Sequence, residues 1–379
     1  MTRFRHGVIG ATLSAGLLCS GLAFAAPDAD AVADRLIEIM EISASNASYD
    51  SALYNSADDT VTILNLKFTE DKDTGSFTTV SVQGYDETNT QGFGADRITA
   101  TGFELVNDEA QLLIASLSIA DLNIPSVEFD PDNPDSWNDV TYTSSEFSNI
   151  TVIPEGSAAI TIAVVKSAIN YTGDDGISGT GSLIIDDLSV PADLMEGEAK
   201  AFMKASGYAG LMLDVTVDAA YDAARKTLDL NTLTLDAQEM GGLDFSAQLG
   251  GIAEDMLRDS EQIRGLMATA TLRAARLSFS NDSIFEKGLD FAAMLTGQDP
   301  AQLKAQAPFA LGFALAQINN EAFTEMVTQA VTEFLDDPKS LTVTIAPENP
   351  VPVAQIAGAA MSSPKVVPDL LNVAVEANQ

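Results

Sequence analysis

Alternation of apolar and polar residues dominates the middle of the chain and restricts its fold more than any other feature. In residues 211–221 the odd positions, from Leu211 to Tyr221, are apolar, while the even positions include Asp214 and Asp218. A period of two is typical of a β-strand with one buried face. The segments 226–237 and 242–249 follow after short turns. The sequence therefore predicts an antiparallel meander with one buried and one acidic face.

Seven earlier segments are also predicted to be strands, because they are rich in β-branched and aromatic residues and are separated by turn residues. They are 61–68, 77–85, 97–107, 110–124, 140–153, 158–171 and 179–190.

Several of these strands change phase partway. Leu228 and Leu230 occupy even positions, whereas Leu233 and Leu235 occupy odd ones, and similar changes occur within 61–68 and 113–124. A one-residue slip requires a β-bulge, or a strand that leaves one sheet and enters another. The recurrence favours a long, strongly twisted or curled sheet; the alternative is a set of shorter strands interrupted by loops.

Helices are predicted near both ends of the chain. Helical spacing of apolar residues occurs at 30–42 and 320–335, further helices are predicted at 195–206 and 252–267, and the chain from about 283 is mostly helical. Asp299 followed by Pro300 predicts a helix start, and Asn349 followed by Pro350 predicts another. Residues 308–316 are apolar on all sides, which predicts a buried helix too short to span a membrane.

The predicted fold class is α+β, with a long antiparallel sheet followed by a mostly helical part packed on it. We expect a signal peptide at 1–25, a β-rich region with an N-terminal helix at 26–250, and an α-rich region at 251–379. The last two regions can also form one continuous domain.

The N-terminus has the order of features found in a secretory signal. Arg3 and Arg5 precede an apolar stretch, and Ala23-Phe24-Ala25 provides a cleavage motif before Ala26. We expect cleavage near Ala25/Ala26 and a periplasmic protein, with secretion as the alternative. No later stretch is long and apolar enough for a transmembrane segment in the mature chain.

Cleavage would remove the only His and the only Cys of the chain, His6 and Cys19. The mature chain would have 17 cations against 55 acids, a net charge of −38. A chain without imidazole or thiol groups cannot perform thiol or Ser-His-Asp catalysis, and it cannot build a Cys/His zinc site. The charge also repels nucleic acid. We therefore expect no enzyme, no catalytic residues and no organic cofactor.

One acidic loop is a candidate calcium site. Asp130, Asp132, Asp135 and Asp139 alternate with other residues within ten positions, and calcium takes six to eight oxygen ligands. The spacing is not that of an EF-hand, because Asp135 stands where that loop needs Gly and Thr141 stands where it needs Glu. The alternative is a solvated loop on an acidic surface.

The end of the chain carries a resemblance. The residues from Phe334 to Ile345, followed by Pro350-Val351-Pro352-Val353, resemble the tail of uncharacterised secreted proteins of proteobacteria. The texture of the preceding strands is similar to that of the AsmA-like and TamB-like envelope proteins. This resemblance implies a curled sheet that forms a lipid-holding groove.

Two functions from different classes follow. The first is a soluble periplasmic protein that binds or carries an apolar, lipid-like ligand in a β-groove. The second is a structural or protein-interaction component of the cell envelope without a small ligand. Between Arg97 and Lys166 there are eleven acids and no cation. This run indicates either a generally acidic surface suited to a saline habitat or, in that second case, a face for a basic partner.

Overall fold

The computed structural model describes residues 27–40, 46–70, 72–125, 140–173, 177–254, 256 and 269–379. The described chain forms two compact units, residues 1–169 (unit 1) and 170–379 (unit 2). All strand pairings in both units are antiparallel within the described residues, and most helices follow the strands, which confirms the predicted α+β class.

Unit 1 consists of one helix and a set of strands paired in chain order from β3 to β8. Strands β1 and β2 both pair with β3. The elements are α1 (Ala29–Ile39), β1 (Ala47–Ser48), β2 (Ser51–Asn55), β3 (Thr60–Glu70), β4 (Asp73–Tyr85), β5 (Phe93–Val106), β6 (Ala110–Ile124), β7 (Ser144–Pro154) and β8 (Ile160–Tyr171), whose last two residues belong to unit 2.

Unit 2 contains the remaining strands and most of the helices. Strands β9 to β14 pair in chain order, β16 pairs with β14, and β15 pairs with β13. The elements are β9 (Gly179–Pro191), α2 (Gly197–Ser206), β10 (Gly210–Asp222), β11 (Thr227–Ala237), β12 (Gly241–Gly250), β13 (Thr271–Asn281), α3 (Ile284–Thr296), α4 (Pro300–Leu315), α5 (Glu321–Asp336), β14 (Ser340–Ile345), β15 (Val351–Pro352), α6 (Val353–Ser362), α7 (Val367–Leu370) and β16 (Val373–Ala377).

The core of unit 1 lies between α1 and the adjoining strands. Val32, Leu36 and Met40 of the helix segment are at most 3% exposed, as the helical spacing predicts. The buried Arg35 supports this packing, because its Nε donates to the Gly92 carbonyl at 2.9 Å and its Nη2 donates to the Thr90 carbonyl at 2.8 Å. These bonds connect α1 to the turn between β4 and β5.

Strands β3 to β8 keep one apolar face although their side chains change phase. Ile63, Val80, Ala100, Leu117, Phe147 and Val165 are successive cross-strand partners in one row. A second row of the same face contains Leu66, Phe77, Phe103, Ile114, Ile150 and Ile162; Phe77 and Phe103 meet with their rings 4.7 Å apart.

Left-handed residues make this change of phase possible. Between the two rows, Asn65 of β3, Gly102 of β5 and Asn149 of β7 have φ values of 51°, 63° and 52°. The register is constant on both sides of these residues in the described pairings. We call this line of residues across the sheet the crease. The prediction that a slip needs a bulge or a change of sheet is therefore wrong for β3; in β6 the slip before Leu122 likewise falls at a left-handed residue, Asp121, with φ 51°.

In unit 2 the slip occurs by bulges, as predicted. The register of β11 shifts between Leu230 and Leu233 against β12, and Asn231 is the extra residue against β10. The predicted meander of β10, β11 and β12 is confirmed.

The predicted helices at 30–42, 195–206 and 320–335 correspond to α1, α2 and α5. Asp299 caps α4, because its carboxylate accepts a hydrogen bond from the Ala301 backbone N–H at 2.8 Å. Most of the helix predicted at 252–267 lies outside the described residues.

Two helix predictions are wrong. Residues 308–316 are helical but not buried, since Phe309 and Phe313 are 85% and 76% exposed. The last helix of ordinary length, α6, begins at Val353, after the short strand Val351–Pro352, so Asn349 is not its cap. The structure also contains a strand, β13, that the sequence did not predict.

Candidate functional site: an open apolar face in unit 2

Every second strand from β9 to β13 contains one extra residue. The register shifts near Asp187 in β9, at Asn231 in β11 and at Arg273 in β13, whereas β10 and β12 alternate without interruption. Each extra residue returns the following apolar side chains to the face that the preceding ones occupy. The bulges therefore give five neighbouring strands one common apolar face.

Carboxylates on the opposite face stabilise two of these bulges. Asp218 of β10 accepts a hydrogen bond from Asn231 Nδ2 at 2.8 Å. Asp214 of the same strand accepts one from the Asp187 backbone N–H at 2.7 Å. The even positions of β10 thus explain part of the acidic pattern in the sequence, because two of its acids hold the irregular residues of neighbouring strands.

The apolar face is continuous across the five strands. One row contains Ile185, Val215, Leu235, Leu243 and Phe279. The next row contains Leu183, Val217, Leu233, Phe245 and Leu277. We call these two rows the apolar floor. Neighbouring strands are about 4.8 Å apart, so four strand-to-strand steps give the floor a length of roughly 19 Å.

Packed clusters lie at both strand ends but leave most of the floor uncovered. At one end, Met203, Tyr208 and Met240 form a buried cluster; at the other end, Tyr221 and Ile252 are buried with Ala270. Within the described residues, neither cluster includes a member of the two floor rows. Of the ten floor residues, Phe279 at the β13 edge is the one that a cluster of the described residues covers, since α5 packs its Phe334 ring 6.1 Å from it.

Exposure confirms that the floor is open. Leu243 and Leu277 are 41% and 45% exposed, and the members of the rows in β9, β10 and β11 are half-buried. An exposed leucine by itself is ordinary, but adjoining exposed leucines on a continuous apolar surface mark an interaction site.

The floor contains no titratable side chain among its ten residues. It therefore offers no general acid, no base and no metal ligand, and its only chemistry is to exclude water from an apolar partner.

A second concave feature of unit 2 is lined by many carboxylate, hydroxyl and amide side chains. A groove of about 1150 Å³ lies along α5, where Thr324, Thr328 and Thr332 share its wall with Glu321, Glu325, Glu333, Asp336 and Asp337. Its cation, Lys339, is 2.6 Å from a carboxylate oxygen of Asp337. The excess of carboxylates over cations in this lining favours a ligand or partner that presents a cationic group.

The predicted calcium ligands Asp130, Asp132, Asp135 and Asp139 all lie outside the described residues. Within the described part of the chain, no group of three or more His, Cys, Asp or Glu side chains is placed to hold a metal ion. Calcium at the acidic loop stays a prediction.

Sequence reasoning missed the floor at β13. The segment 271–281 includes two alanines between Arg273 and Arg276, which hides the alternation of Ala275, Leu277 and Phe279. The signal was available, because these residues repeat the period of two that predicted β10.

A family model described as "Uncharacterized protein" matches residues 234–378, which is less than half of the chain. The matched region begins in β11 and ends after β16. Comparison with curated proteins finds no match. The resemblance to proteobacterial secreted proteins and to AsmA-like or TamB-like proteins therefore stays a prediction. None of the described helices is long and apolar enough to cross a membrane.

Proposed function

We propose that this chain is a non-enzymatic, exported periplasmic protein that binds an apolar, lipid-like ligand along the apolar floor. The observation that carries the proposal is the exposure of Leu243 and Leu277 on a continuous apolar face of five strands. A ligand that covers these side chains removes apolar area from water, at about 25 cal/mol per Å².

The shape of the floor favours an extended ligand. The rows run across the strands for roughly 19 Å, and the clusters at both strand ends restrict the ligand to the uncovered middle. A long, thin acyl chain fits such a strip better than a compact ring system. The acidic character of the chain favours an uncharged or zwitterionic head group over an anionic one.

The first experiment is organic extraction of the purified protein followed by mass spectrometry. Co-purifying phospholipid or fatty acid supports the proposal. Binding of the neutral dye Nile red to the delipidated protein then gives a titratable signal. The double variant Leu243→Gln/Leu277→Gln should weaken dye binding by about tenfold or more, because each substitution removes part of the apolar surface.

Met212→Gln is a matched control. Met212 is 38% exposed, lies in β10 of the same sheet and occupies an even position, so it points to the opposite face. Unchanged binding in this variant, with loss in the floor variant, is the result expected for a ligand on the floor. A delipidated protein that binds no dye, or floor and control variants that bind equally, would contradict the proposal.

Export is tested separately. The mature N-terminus should be Ala26 or the next residue, because of the Ala23-Phe24-Ala25 motif. N-terminal sequencing of the protein from the envelope fraction decides this, and an intact Met1 in the cytoplasm contradicts it.

A structural or interaction role in the envelope is the second candidate function. The observation that favours it is the acidic groove along α5, whose lining contains five carboxylates and one lysine. A protein free of extractable lipid that retains a basic partner through this groove would replace the first candidate. Glu325→Gln/Glu333→Gln should then release the partner.

A further inference from the structure

Helix α4 exposes aromatic side chains that nothing in the described structure covers. Phe309 and Phe313 stand one helical turn apart and are 85% and 76% exposed. On the other side of the helix, Leu315 is buried, and Leu303 and Leu311 are half-buried. The helix is therefore fixed to unit 2 by one face while its phenyl groups project from the other.

The segment around these residues lacks negative charge. Residues 300–320 contain no acid and one cation, Lys304, and they are bounded by Asp299 and Glu321. A chain with 55 acids in 379 residues would carry about three in a stretch of this length if they were evenly distributed. The acids end where the exposed aromatic surface begins.

A second acid-free segment has the same character. Residues 349–368 also contain one cation, Lys365, and no acid. Within it, Met361 of α6 is 89% exposed and Val366 is 40% exposed.

The two acid-free segments meet at one side chain. Asn320, at the end of the first segment, donates from Nδ2 to the Lys365 carbonyl at 3.0 Å and to Asp369 Oδ1 at 3.3 Å. The two acid-free segments are therefore connected parts of unit 2.

The form of the surface favours lipid over protein as the partner. Side chains that are 76% to 89% exposed project from the surface, and small residues such as Ala310, Gly312 and Ala314 adjoin the two phenyl groups. Protein interfaces place their hot spots in packed, complementary patches, whereas phenyl groups that project this far can enter deformable acyl chains. One lysine in each segment can extend its ammonium group to the head groups.

We propose that unit 2 attaches to the surface of a phospholipid bilayer by inserting Phe309 and Phe313 of α4 at the boundary between head groups and acyl chains. Met361 and Val366 form an auxiliary contact. The attachment is peripheral, because the other face of α4 stays packed on unit 2 through Leu315. The proposal does not rest on ligand binding at the apolar floor.

Vesicle flotation tests the attachment. The protein should float with phosphatidylcholine vesicles. Phe309→Ser/Phe313→Ser should reduce the bound fraction by about tenfold or more, since the two aromatic side chains that insert into the bilayer are lost. Leu53→Ser is the matched control, because Leu53 is 61% exposed but lies in β2 of unit 1; its binding should equal that of the wild type. The floor variant Leu243→Gln/Leu277→Gln should also float normally, which separates failure of this proposal from failure of the proposed function.

The depth to which α4 inserts into the bilayer is measured with a single tryptophan. The chain has one Trp, Trp137, so Phe313→Trp in a Trp137→Phe background reports on that helix position alone. Vesicles should shift its emission to the blue, and brominated acyl chains should quench it. A wild-type protein that does not float, an aromatic variant that floats equally, or an introduced tryptophan that stays unquenched would overturn the proposal. So would a wild-type dimer that the serine variant converts to a monomer, because a second copy would then cover the surface.

Discussion

The two units solve the same problem of sheet geometry in different ways. Both must return apolar side chains to one face after a change of phase. In unit 1 every strand from β3 to β8 changes phase at the crease, with left-handed residues in β3, β5 and β7 and a constant register. In unit 2 only β9, β11 and β13 change phase, each by one extra residue, and the register shifts.

The two devices differ in how the pairing of neighbouring strands depends on the irregular residue. At the crease, neighbouring strands have the same number of residues between the two apolar rows, so each strand needs its neighbours to match. At the bulge of β11, the strand has one residue more than both neighbours, β10 and β12, so that residue is locally dispensable. The crease crosses the core that α1 covers in unit 1, and the bulges build the open floor of unit 2.

Single-residue deletions should separate the two devices most strongly. Deletion of Asn149 shortens β7 between Phe147 and Ile150 and shifts its register against both β6 and β8, so we expect a loss of about 3 kcal/mol or more in unit 1. Deletion of Asn231 leaves β11 with the same number of residues between its paired positions as β10 and β12 have. It removes only the hydrogen bond to Asp218, at a cost of about 1 kcal/mol.

Amide hydrogen exchange read separately for each unit is the suitable measurement, because a chain with two units need not unfold in one step. Equal losses in the two deletion variants would mean that the crease and the bulges are equivalent.

Gly102→Ala tests the crease by adding a single Cβ atom to it. The new Cβ would lie 2.3 Å from Thr78 Oγ1, and the backbone φ is 63°. We expect a loss of about 2 kcal/mol, from the left-handed conformation and the displaced threonine together. In a Thr78→Ala background the loss should fall to about 1 kcal/mol, because the conformational part remains.

Gly242→Ala in β12 is the control for Gly102→Ala. Its Cβ would meet the Ser280 hydroxyl at 2.9 Å, and its φ is not left-handed. We expect a loss below about 1 kcal/mol in unit 2, because a side-chain oxygen can move. Chemical denaturation followed by exchange in each unit gives both values. A larger loss at Gly242 than at Gly102 would contradict the role of the left-handed backbone.

Charge density should make unit 1 the more salt-sensitive unit. Residues 26–169 contain five cations against 25 acids, a net charge of −20 in 144 residues, whereas residues 170–379 contain 12 against 30, a net charge of −18 in 210 residues. Screening of this self-repulsion from low salt to about 0.15 M should stabilise both units, and unit 1 more.

Amide exchange rates measured in sodium chloride and again in choline chloride give the salt effect. Agreement between the two salts shows that it does not depend on binding of a particular cation. Equal stabilisation of the two units would show that the acids of unit 1 are already compensated locally.

The sequence predicted the strands well because their alternation is a local property. Strand β6 has the predicted bounds, 110–124, and the bulge near Leu230 follows from the parity of four leucines. The crease could not be predicted in the same way. Asn65 and Asn149 look like ordinary polar residues of a strand, and their left-handed φ matters only because Gly102 lies in the same row of the sheet.

The prediction that α4 is buried was wrong for a related reason. An apolar helix is buried only if other elements cover all its sides, and that depends on packing partners that the local pattern does not contain. The lipid-holding groove stays a prediction, and the complete apolar floor was not predicted, because β13 was missed. Alternation identified most of its side chains, but their exposure depends on where the helices pack.

The smallest effect on stability is expected from a substitution in the turn between β4 and β5, which holds α1 in unit 1. The Asp86 carboxylate accepts hydrogen bonds from the Thr88 hydroxyl at 2.6 Å and the Thr88 backbone N–H at 2.9 Å, and these bonds lower the pKa of Asp86 below its ordinary value. The same turn provides the Thr90 and Gly92 carbonyls that bind Arg35.

Because the folded pKa of Asp86 is lowered, its contribution to stability is complete above the ordinary aspartate pKa of about 3.9 and is lost as the pH falls through the folded value. Unit 1 should therefore lose stability between about pH 5 and pH 2 with a slope that Asp86→Asn reduces slightly. The pH dependence of exchange at Arg35 and its neighbours in α1 is the measurement, with unit 2 as the internal reference. A slope in unit 1 that Asp86→Asn leaves unchanged would show that other carboxylates control the acid response, and that the connection between α1 and the sheet depends on Arg35 rather than on the conformation of the turn.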